Sequence, residues 1–137
     1  MLKKIDHIGI AVKDLREISR TLEKGFGLKP DFQEEVLDQK VRVAGYKIGE
    51  SVIEYLEPMS SDSPLTRFLE KRDNSIHHIA FNIKNLEESI QMLKSKGFRL
   101  IDEKPRVGAE NKKIAFLHPE SFNGILIELC EIIDIEN

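Results

Sequence analysis

Two short segments of this chain occur twice, and this repetition constrains the fold to two similar halves. The pairs are DHIGIAV with HHIAFNI, at residues 6–12 and 77–83, and IEYLE with IELCE, at residues 53–57 and 127–131. Each half therefore opens on a histidine segment and closes on a glutamate segment, and the residues concerned are His7, Glu54, His78 and Glu128. A two-fold arrangement of the halves would bring two imidazoles and two carboxylates together. That donor set is typical of a divalent-metal site.

Length and composition indicate a single domain, residues 1–137, built from two modules. Each module is too short to be expected to fold stably without the other. We expect module one at about residues 1–58, a linker helix at about 59–75 and module two at about 76–137. The net charge of −3 gives no general attraction for nucleic acid. No apolar run approaches the ~20 residues of a membrane helix. The N-terminus lacks the apolar core of a signal peptide, and one cysteine cannot form an internal disulfide, so we expect a cytoplasmic protein.

The hydrophobic pattern predicts the same βαβββ order in each module. In module one we expect a helix from about residue 15 to residue 26, capped by Asp14, among strands near residues 4–12, 32–37, 40–48 and 51–57. Module two has a helix near residues 86–96 and strands near residues 76–83, 98–103, 112–118 and 124–131. Between the modules, Ser63 is expected to cap a short helix at residues 64–71, and residues 134–137 are expected to fray.

Strand alternation assigns the repeated residues to one face of each module. On the histidine strands, His7 and His78 share their faces with small or polar residues and lie opposite bulky apolar ones. Glu54 and Glu128 likewise lie opposite apolar neighbours. We therefore predict an α+β fold in which two βαβββ modules form a concave mixed sheet around a cleft, with four ligating groups at its floor.

Each candidate residue also has a plainer interpretation. A lone strand histidine is more often structural than a ligand, and a lone strand glutamate is usually solvated. The equivalent placement of all four in the two modules favours the metal site. Of the other candidates, His77 points away from His78, His118 precedes Pro119 and suits a turn or a ligand contact, and Cys130 is interpreted as a small buried residue.

The DHIGIAV segment, the paired βαβββ pattern and the closing Ile-Glu-Leu together resemble the vicinal oxygen chelate superfamily. That superfamily includes glyoxalase I, extradiol dioxygenases, fosfomycin-resistance proteins and methylmalonyl-CoA epimerase. Finer stretches resemble the epimerases: QKVRVA, IEYLEP, SPL with RFLEKR, IHHIAF, PRVGA and KIAFLHP. By this resemblance the metal ligands are His7, Glu54, His78 and Glu128. Such ligands suit one divalent Co, Ni, Zn, Mn or Fe ion better than Ca or Mg.

The resemblance implies a metal-dependent epimerase that interconverts the methylmalonyl-CoA epimers by α-proton transfer through a metal-stabilised enolate. Glu128 is the expected catalytic base. Some epimerases carry a second acid/base glutamate where this chain has Val43. The residue or molecule that exchanges a proton on the opposite side of the α-carbon is not determined. The candidates are metal-bound water, Glu54 and Tyr46.

Two other functions fit the same superfamily. One is an enzyme like glyoxalase I (lactoylglutathione lyase), and the other is a non-catalytic protein that binds a small molecule in the cleft. For the epimerase we expect an acyl-CoA thioester as substrate, no nucleic-acid or membrane partner, and a homodimer with each metal site completed within one chain. Arg106, Lys112 and Lys113 either face the phosphates of such a ligand or form a solvated edge.

Overall fold

The computed structural model describes residues 2–132. The chain divides into two compact units. The first unit comprises residues 7–77, and the second unit combines the chain before His7 with the chain from His78 onward. Within residues 2–132, every helix is too short or too polar to cross a membrane.

The first unit takes most of its structure from four strands and two helices. They are β1 (Lys4–Ala11, whose first three residues belong to the second unit), α1 (Leu15–Phe26), β2 (Phe32–Val36), β3 (Val41–Ile48), β4 (Ser51–Pro58) and α2 (Pro64–Arg72). The strands lie in the order β2-β3-β4-β1. β1 runs parallel to β4, and the other neighbours are antiparallel. A tight turn at residues 49–50 joins β3 to β4, because Ile48 pairs with Ser51 across it.

The second unit repeats this order of elements. They are β5 (Ser75–Ile83, whose first three residues belong to the first unit), α3 (Leu86–Ser95), β6 (Arg106–Val107), β7 (Lys113–Leu117) and β8 (Ile127–Glu131), with single 3-10 turns at Ala109–Asn111 and Pro119–Phe122. The strands lie in the order β5-β8-β7-β6. β5 runs parallel to β8, as β1 does to β4. Each unit thus shows the predicted βαβββ order.

Side-chain caps explain where the helices begin. Asp14 Oδ1 accepts a hydrogen bond from Arg16 N at 2.9 Å, and Ser63 Oγ accepts one from Leu65 N at 3.3 Å. Both bonds satisfy backbone N–H groups that the first helical turn leaves without a partner. The caps predicted at Asp14 and Ser63 are therefore confirmed.

The hydrophobic core of the second unit lies between α3 and one face of the strands. Its buried members are Ile83, Leu86, Ile90, Leu93, Ala115, Leu117 and Leu129. The strand members alternate in sequence with the histidine and glutamate of this unit, so those two polar residues project from the other face. The bulky residues of these strands therefore pack against α3 in this unit.

The strand predicted at residues 98–103 is wrong. A single bridge joins Leu100 to Leu117, after which the N–H groups of Ile101 and Asp102 both donate to Phe116 O. An antiparallel strand pair needs a different carbonyl acceptor for each successive N–H group. Because Ile101 and Asp102 share the carbonyl of Phe116, the pairing with β7 stops after Leu100. The N–H group of Phe116 donates to Asp102 Oδ2 at 2.8 Å. This N–H group is therefore bonded to a side chain and not to the backbone of a neighbouring strand.

Other boundaries differ from the predictions by one to three residues. β8 begins at Ile127 rather than residue 124, because Asn123 and Gly124 both have positive φ and form the preceding turn. α2 extends to Arg72 and α3 ends at Ser95. The predicted fraying at residues 134–137 falls outside the described residues.

Candidate metal centre

The first unit contains a buried histidine–glutamate pair. His7 Nδ1 on β1 lies 3.4 Å from Glu54 Oε2 on the neighbouring strand β4. The two residues are 4% and 6% exposed. Burying a carboxylate costs free energy unless a cation or a hydrogen-bond donor compensates it. The buried pair is therefore a candidate functional site.

Glycines flank Glu54 on both neighbouring strands. Gly9 of β1 and Gly45 of β3 are its cross-strand partners, so neither strand places a side chain directly beside the carboxylate. On the β3 side the ring of Phe32 fills the vacated space, since a Cβ built on Gly45 would lie 2.1 Å from ring atoms. On the β1 side, Gly9 leaves only backbone directly across from Glu54, and His7 of the same strand reaches the carboxylate.

The second unit contains the equivalent pair. His78 Nε2 on β5 lies 3.2 Å from Glu128 Oε1 on the neighbouring strand β8, and each residue is 4% exposed. Ala80 and Phe116 are the cross-strand partners of Glu128. The Phe116 ring meets the His78 ring edge-to-face at 5.4 Å between centroids, which orients the imidazole.

A thiol holds the second oxygen of Glu128. Cys130 Sγ donates a hydrogen bond to Glu128 Oε2 at 2.9 Å. Burial raises the pKa of the Cys130 thiol, and the negative charge of Glu128 raises it further, so the group stays protonated and remains a donor. The sequence interpretation of Cys130 as a small buried residue missed this bond. The signal was its spacing, because a residue two positions after Glu128 shares its face of the strand.

Both pairs have donor atoms and spacings that suit a transition-metal ion. Two ligand atoms held about 2.1 Å from one ion stand about 3.0 Å apart at a right angle and about 3.4 Å apart at the tetrahedral angle. The observed separations are 3.4 Å between His7 and Glu54 and 3.2 Å between His78 and Glu128. Imidazole nitrogen with carboxylate oxygen is the ligand chemistry of Zn, Mn, Fe, Co and Ni. The residues present therefore fit such an ion.

A buried polar cluster in the second unit escaped the sequence analysis. Asp6 Oδ1 accepts from Asn82 Nδ2 at 2.9 Å and lies 3.2 Å from Lys112 Nζ. Burial by itself lowers the pKa of Lys112, but the Asp6 carboxylate, with smaller contributions from Glu110 and Cys130, more than reverses this and the pKa stands above its usual value. Lys112 was predicted to face a phosphate or solvent, whereas its ammonium is committed to Asp6.

The other two basic candidates, Arg106 and Lys113, line a cavity of about 600 Å³ in the second unit. Residues of α3 and of the segment before β6 complete its wall, namely Glu87, Ile90, Gln91, Glu103, Lys104, Pro105 and Val107. Arg106 Nη1 also lies 3.4 Å from Asp102 Oδ1. None of the four candidate ligands lines this cavity.

Three other candidates have contacts of their own. The His77 ring packs edge-to-face on Phe68 of α2 at 4.8 Å, and His118 Nδ1 accepts from Glu120 N at 3.1 Å at the start of a 3-10 turn. The turn role predicted for His118 is confirmed. Tyr46 donates its hydroxyl to Ser19 Oγ of α1 at 3.2 Å. The suggestion that Tyr46 supplies the second proton is therefore wrong, because its side chain faces α1 and Glu54 faces the other way.

Comparison with known proteins identifies the family. The glyoxalase/bleomycin resistance protein/dioxygenase superfamily matches residues 6–116. The uncharacterized Bacillus subtilis protein YqjC is 45% identical over 130 residues, covering 95% of this chain and 93% of the relative. The ethylmalonyl-CoA/methylmalonyl-CoA epimerase of Cereibacter sphaeroides is 32% identical over 134 residues, covering 96% and 100% of the two chains.

A solved structure gives the same result. A variant of Streptomyces coelicolor methylmalonyl-CoA epimerase, in complex with 2-nitronate-propionyl-CoA, has a TM-score of 0.93 and 34% identity, covering 100% of this chain and 99% of that one. The likeness confirms the predicted α+β fold class with two βαβββ modules. The chain therefore belongs to the glyoxalase/bleomycin resistance protein/dioxygenase superfamily, among relatives that are epimerases.

Proposed function

We propose that this protein is a metal-dependent methylmalonyl-CoA epimerase. The observation that supports it most is the occurrence of a buried histidine–glutamate pair on equivalent strands of both units, in a chain whose relatives are epimerases. These relatives make the chain an enzyme of the isomerase class. The substrate is the finer part of the proposal.

The proposed metal site combines the two pairs into one set of ligands: His7, Glu54, His78 and Glu128. Two neutral imidazoles and two carboxylates balance the charge of a divalent ion, and the donor types favour Co, Ni, Zn, Mn or Fe. When bound, the ion supplies a Lewis acid that stabilises negative charge developing on the substrate oxygens. The sequence repeat supports a shared ion, because each half contributes the same two ligand types at the same places.

Glu128 is the proposed base. Epimerisation removes the proton from a carbon between a thioester and a carboxylate, and the C–H electron pair passes into the thioester carbonyl to give an enolate. One Glu128 oxygen lies beside His78 Nε2, and the other accepts from the Cys130 thiol, so the carboxylate is held in place on both sides. A positioned carboxylate within hydrogen-bond reach is the requirement for this proton transfer.

Apolar side chains border Glu128 on its face of the strands. Ala80, Ile114, Phe116 and Cys130 form a buried cluster that lies on the Glu128 face of the strands. Glu128 is 4% exposed, and electrostatic stabilisation of a developing enolate is worth more at a buried position than in bulk solvent.

The test is to incubate single epimers of methylmalonyl-CoA and ethylmalonyl-CoA in heavy water and to follow both inversion and deuterium entry at the α-carbon. The glutathione–methylglyoxal adduct serves as the competing glyoxalase substrate. Glu128→Gln should lose about 100-fold or more of the proton-transfer rate. The matched control is Glu131→Gln on the same strand, whose side chain projects from the opposite face.

Metal content is measured for every variant, since Glu128→Gln also removes a proposed ligand. We expect inversion of methylmalonyl-CoA to exceed conversion of the glutathione adduct. Efficient conversion of the adduct without α-proton exchange on either acyl-CoA would contradict the proposal and favour a glyoxalase. Tight binding of acyl-CoA without exchange would favour a non-catalytic binding protein.

A further inference from the structure

The proposed function assigns a residue to only one of the two proton transfers that epimerisation requires. Inversion requires that a proton leave one side of the α-carbon and that another arrive on the opposite side, and a single fixed carboxylate reaches one side only. Glu128 serves one side in the proposal above, and the inference below rests on that proposal. The position of a second acid/base group can be sought in the first unit, on the strand face that carries Glu54.

Strand register determines which side chains of the first unit share that face. Gly45 of β3 is the cross-strand partner of Glu54, and Phe32 of β2 is the partner of Gly45. The Phe32 ring lies where a Gly45 side chain would project, which confirms that β2 presents Phe32 to the Glu54 face. Glu34, two residues further along β2, projects from the same face and is paired with Val43.

The intervening residues project from the opposite face. Glu35 Oε2 lies 3.2 Å from Arg42 Nε, and Arg42 Nη1 lies 3.5 Å from Glu57 Oε1. Glu57 in turn accepts from Leu15 N at the start of α1, at 2.9 Å. This row of charges therefore lies on the α1 side of the strands, away from Glu54.

Two titratable residues remain on the Glu54 face of β1 to β4 in this unit once the histidine–glutamate pair is set aside. They are Glu34 and Lys47. Lys47 is exposed near the end of β3, beside the hairpin turn. Glu34 is half-buried between Phe32 and the buried Val36 on its own strand. Glu34 is thus the carboxylate on this face that is both partly sheltered and outside the ligand pair.

The spacing of Glu34 from Glu54 suits a substrate between them. The two residues are separated by two strand-to-strand steps of about 4.8 Å and by two residues along the strands, which places their α-carbons about 12 Å apart. Val43 and Leu56 form the floor of the row that starts at Glu34, and both are buried. A small branched acyl group can lie over that apolar floor, with a carboxylate at its edge.

We propose that Glu34 is the second catalytic acid/base residue, acting on the side of the α-carbon opposite Glu128. In one direction, the Glu128 carboxylate takes the α-proton, and the C–H electron pair enters the thioester carbonyl to form the enolate. The protonated carboxyl group of Glu34 then donates its proton to the α-carbon, and the enolate pair forms the new C–H bond. The reverse direction uses the same two groups with their protonation states exchanged, and exchange with water resets them.

The test separates inversion from proton exchange in Glu34→Gln. Each epimer of methylmalonyl-CoA is incubated separately in heavy water with the metal-loaded protein. We expect inversion to fall by about 100-fold or more, while Glu128 still exchanges the α-proton of one epimer at a rate within about tenfold of wild type. Metal content should not change. Glu35→Gln is the matched control, since this neighbouring glutamate projects from the α1 side, and its inversion rate should equal that of wild type.

A second variant tests the geometry. Adding Val43→Glu to Glu34→Gln places a carboxylate one strand away on the same face, and we expect it to restore part of the lost inversion. Three results for Glu34→Gln would each overturn the assignment of Glu34 and leave the proposed function standing. They are a wild-type inversion rate, loss of exchange from both epimers, and loss of metal. A wild-type protein that inverts and exchanges neither epimer would overturn the proposed function and this assignment together.

Discussion

The two glutamates of the candidate metal centre are supported in different ways at the scale of single residues. Glu128 receives a hydrogen bond from the Cys130 thiol and has a ring and a methyl group beside it. Glu54 has glycine as its cross-strand partner on both neighbouring strands, with the Phe32 ring over Gly45 and His7 Nδ1 3.4 Å from its carboxylate. The Cys130 thiol therefore fixes the orientation of the Glu128 carboxylate, which suits its proposed role as the base.

Lys112 forms an ion pair with the buried Asp6 in the second unit. Replacing Lys112 measures how much this pair contributes to the free energy of unfolding. Lys112→Met retains the length of the side chain but leaves the buried Asp6 carboxylate without its cation, so we expect the free energy of unfolding to fall by about 1–3 kcal/mol. Lys113→Met is the control, because Lys113 is exposed. Urea unfolding of the three proteins measures the difference, and equal stabilities would show that the ion pair contributes nothing.

The same pair sets a pH dependence. The pKa of Lys112 lies above its ordinary value of 10.5 in the folded chain. The stabilisation is therefore complete below about pH 10.5 and is lost as the pH rises through the folded-state pKa. As the pH rises above about 10.5, wild type should lose more unfolding free energy than Lys112→Met. Parallel curves for the two proteins would contradict this account of Asp6 and Lys112.

At the scale of helices and strands, local signals explain what the sequence predicts well. The caps at Asp14 and Ser63 are short-range features, since each side chain bonds a backbone N–H two residues later. The strand expected at residues 98–103 fails because its fate depends on a distant carbonyl, that of Phe116, which accepts from two consecutive N–H groups. Alternating apolar residues cannot reveal that competition.

Two glycines provide a matched pair of predictions at this scale. Gly25 lies inside α1 with open space where a Cβ would stand, so Gly25→Ala should raise the free energy of unfolding by about 0.5–1 kcal/mol. Gly45→Ala should lower it by about 1–3 kcal/mol, because the new Cβ would lie 2.1 Å from the Phe32 ring. Adding Phe32→Leu should recover part of that loss. Thermal or urea unfolding measures all three, and a neutral Gly45→Ala would mean that the ring moves aside freely.

For the whole molecule, the repeat in the sequence was sufficient to predict two βαβββ modules and the four candidate ligands. Each ligand occupies the same place in its half, which makes the pattern visible without a structure. The Asp6–Lys112 pair was missed because its two side chains are far apart in the chain, and Glu34 because its position depends on cross-strand register. The Cys130 bond could have been predicted, because Cys130 lies two residues after Glu128 on the same face of the strand. The single-domain organisation, the homodimer, the compartment and the shared metal ion stay predictions.

We propose above that both histidine–glutamate pairs serve one catalytic ion. The most direct measurement is to remove metal with a chelator, add back Zn, Co, Mn, Ni or Fe in steps, and record α-proton exchange of methylmalonyl-CoA in heavy water at each step. Exchange should be absent at first and should rise linearly to a plateau at one ion per chain, and His7→Ala and His78→Ala should each prevent the rise. Full exchange without metal, a plateau at two ions per chain, or a histidine variant that still reaches the wild-type plateau would contradict the claim.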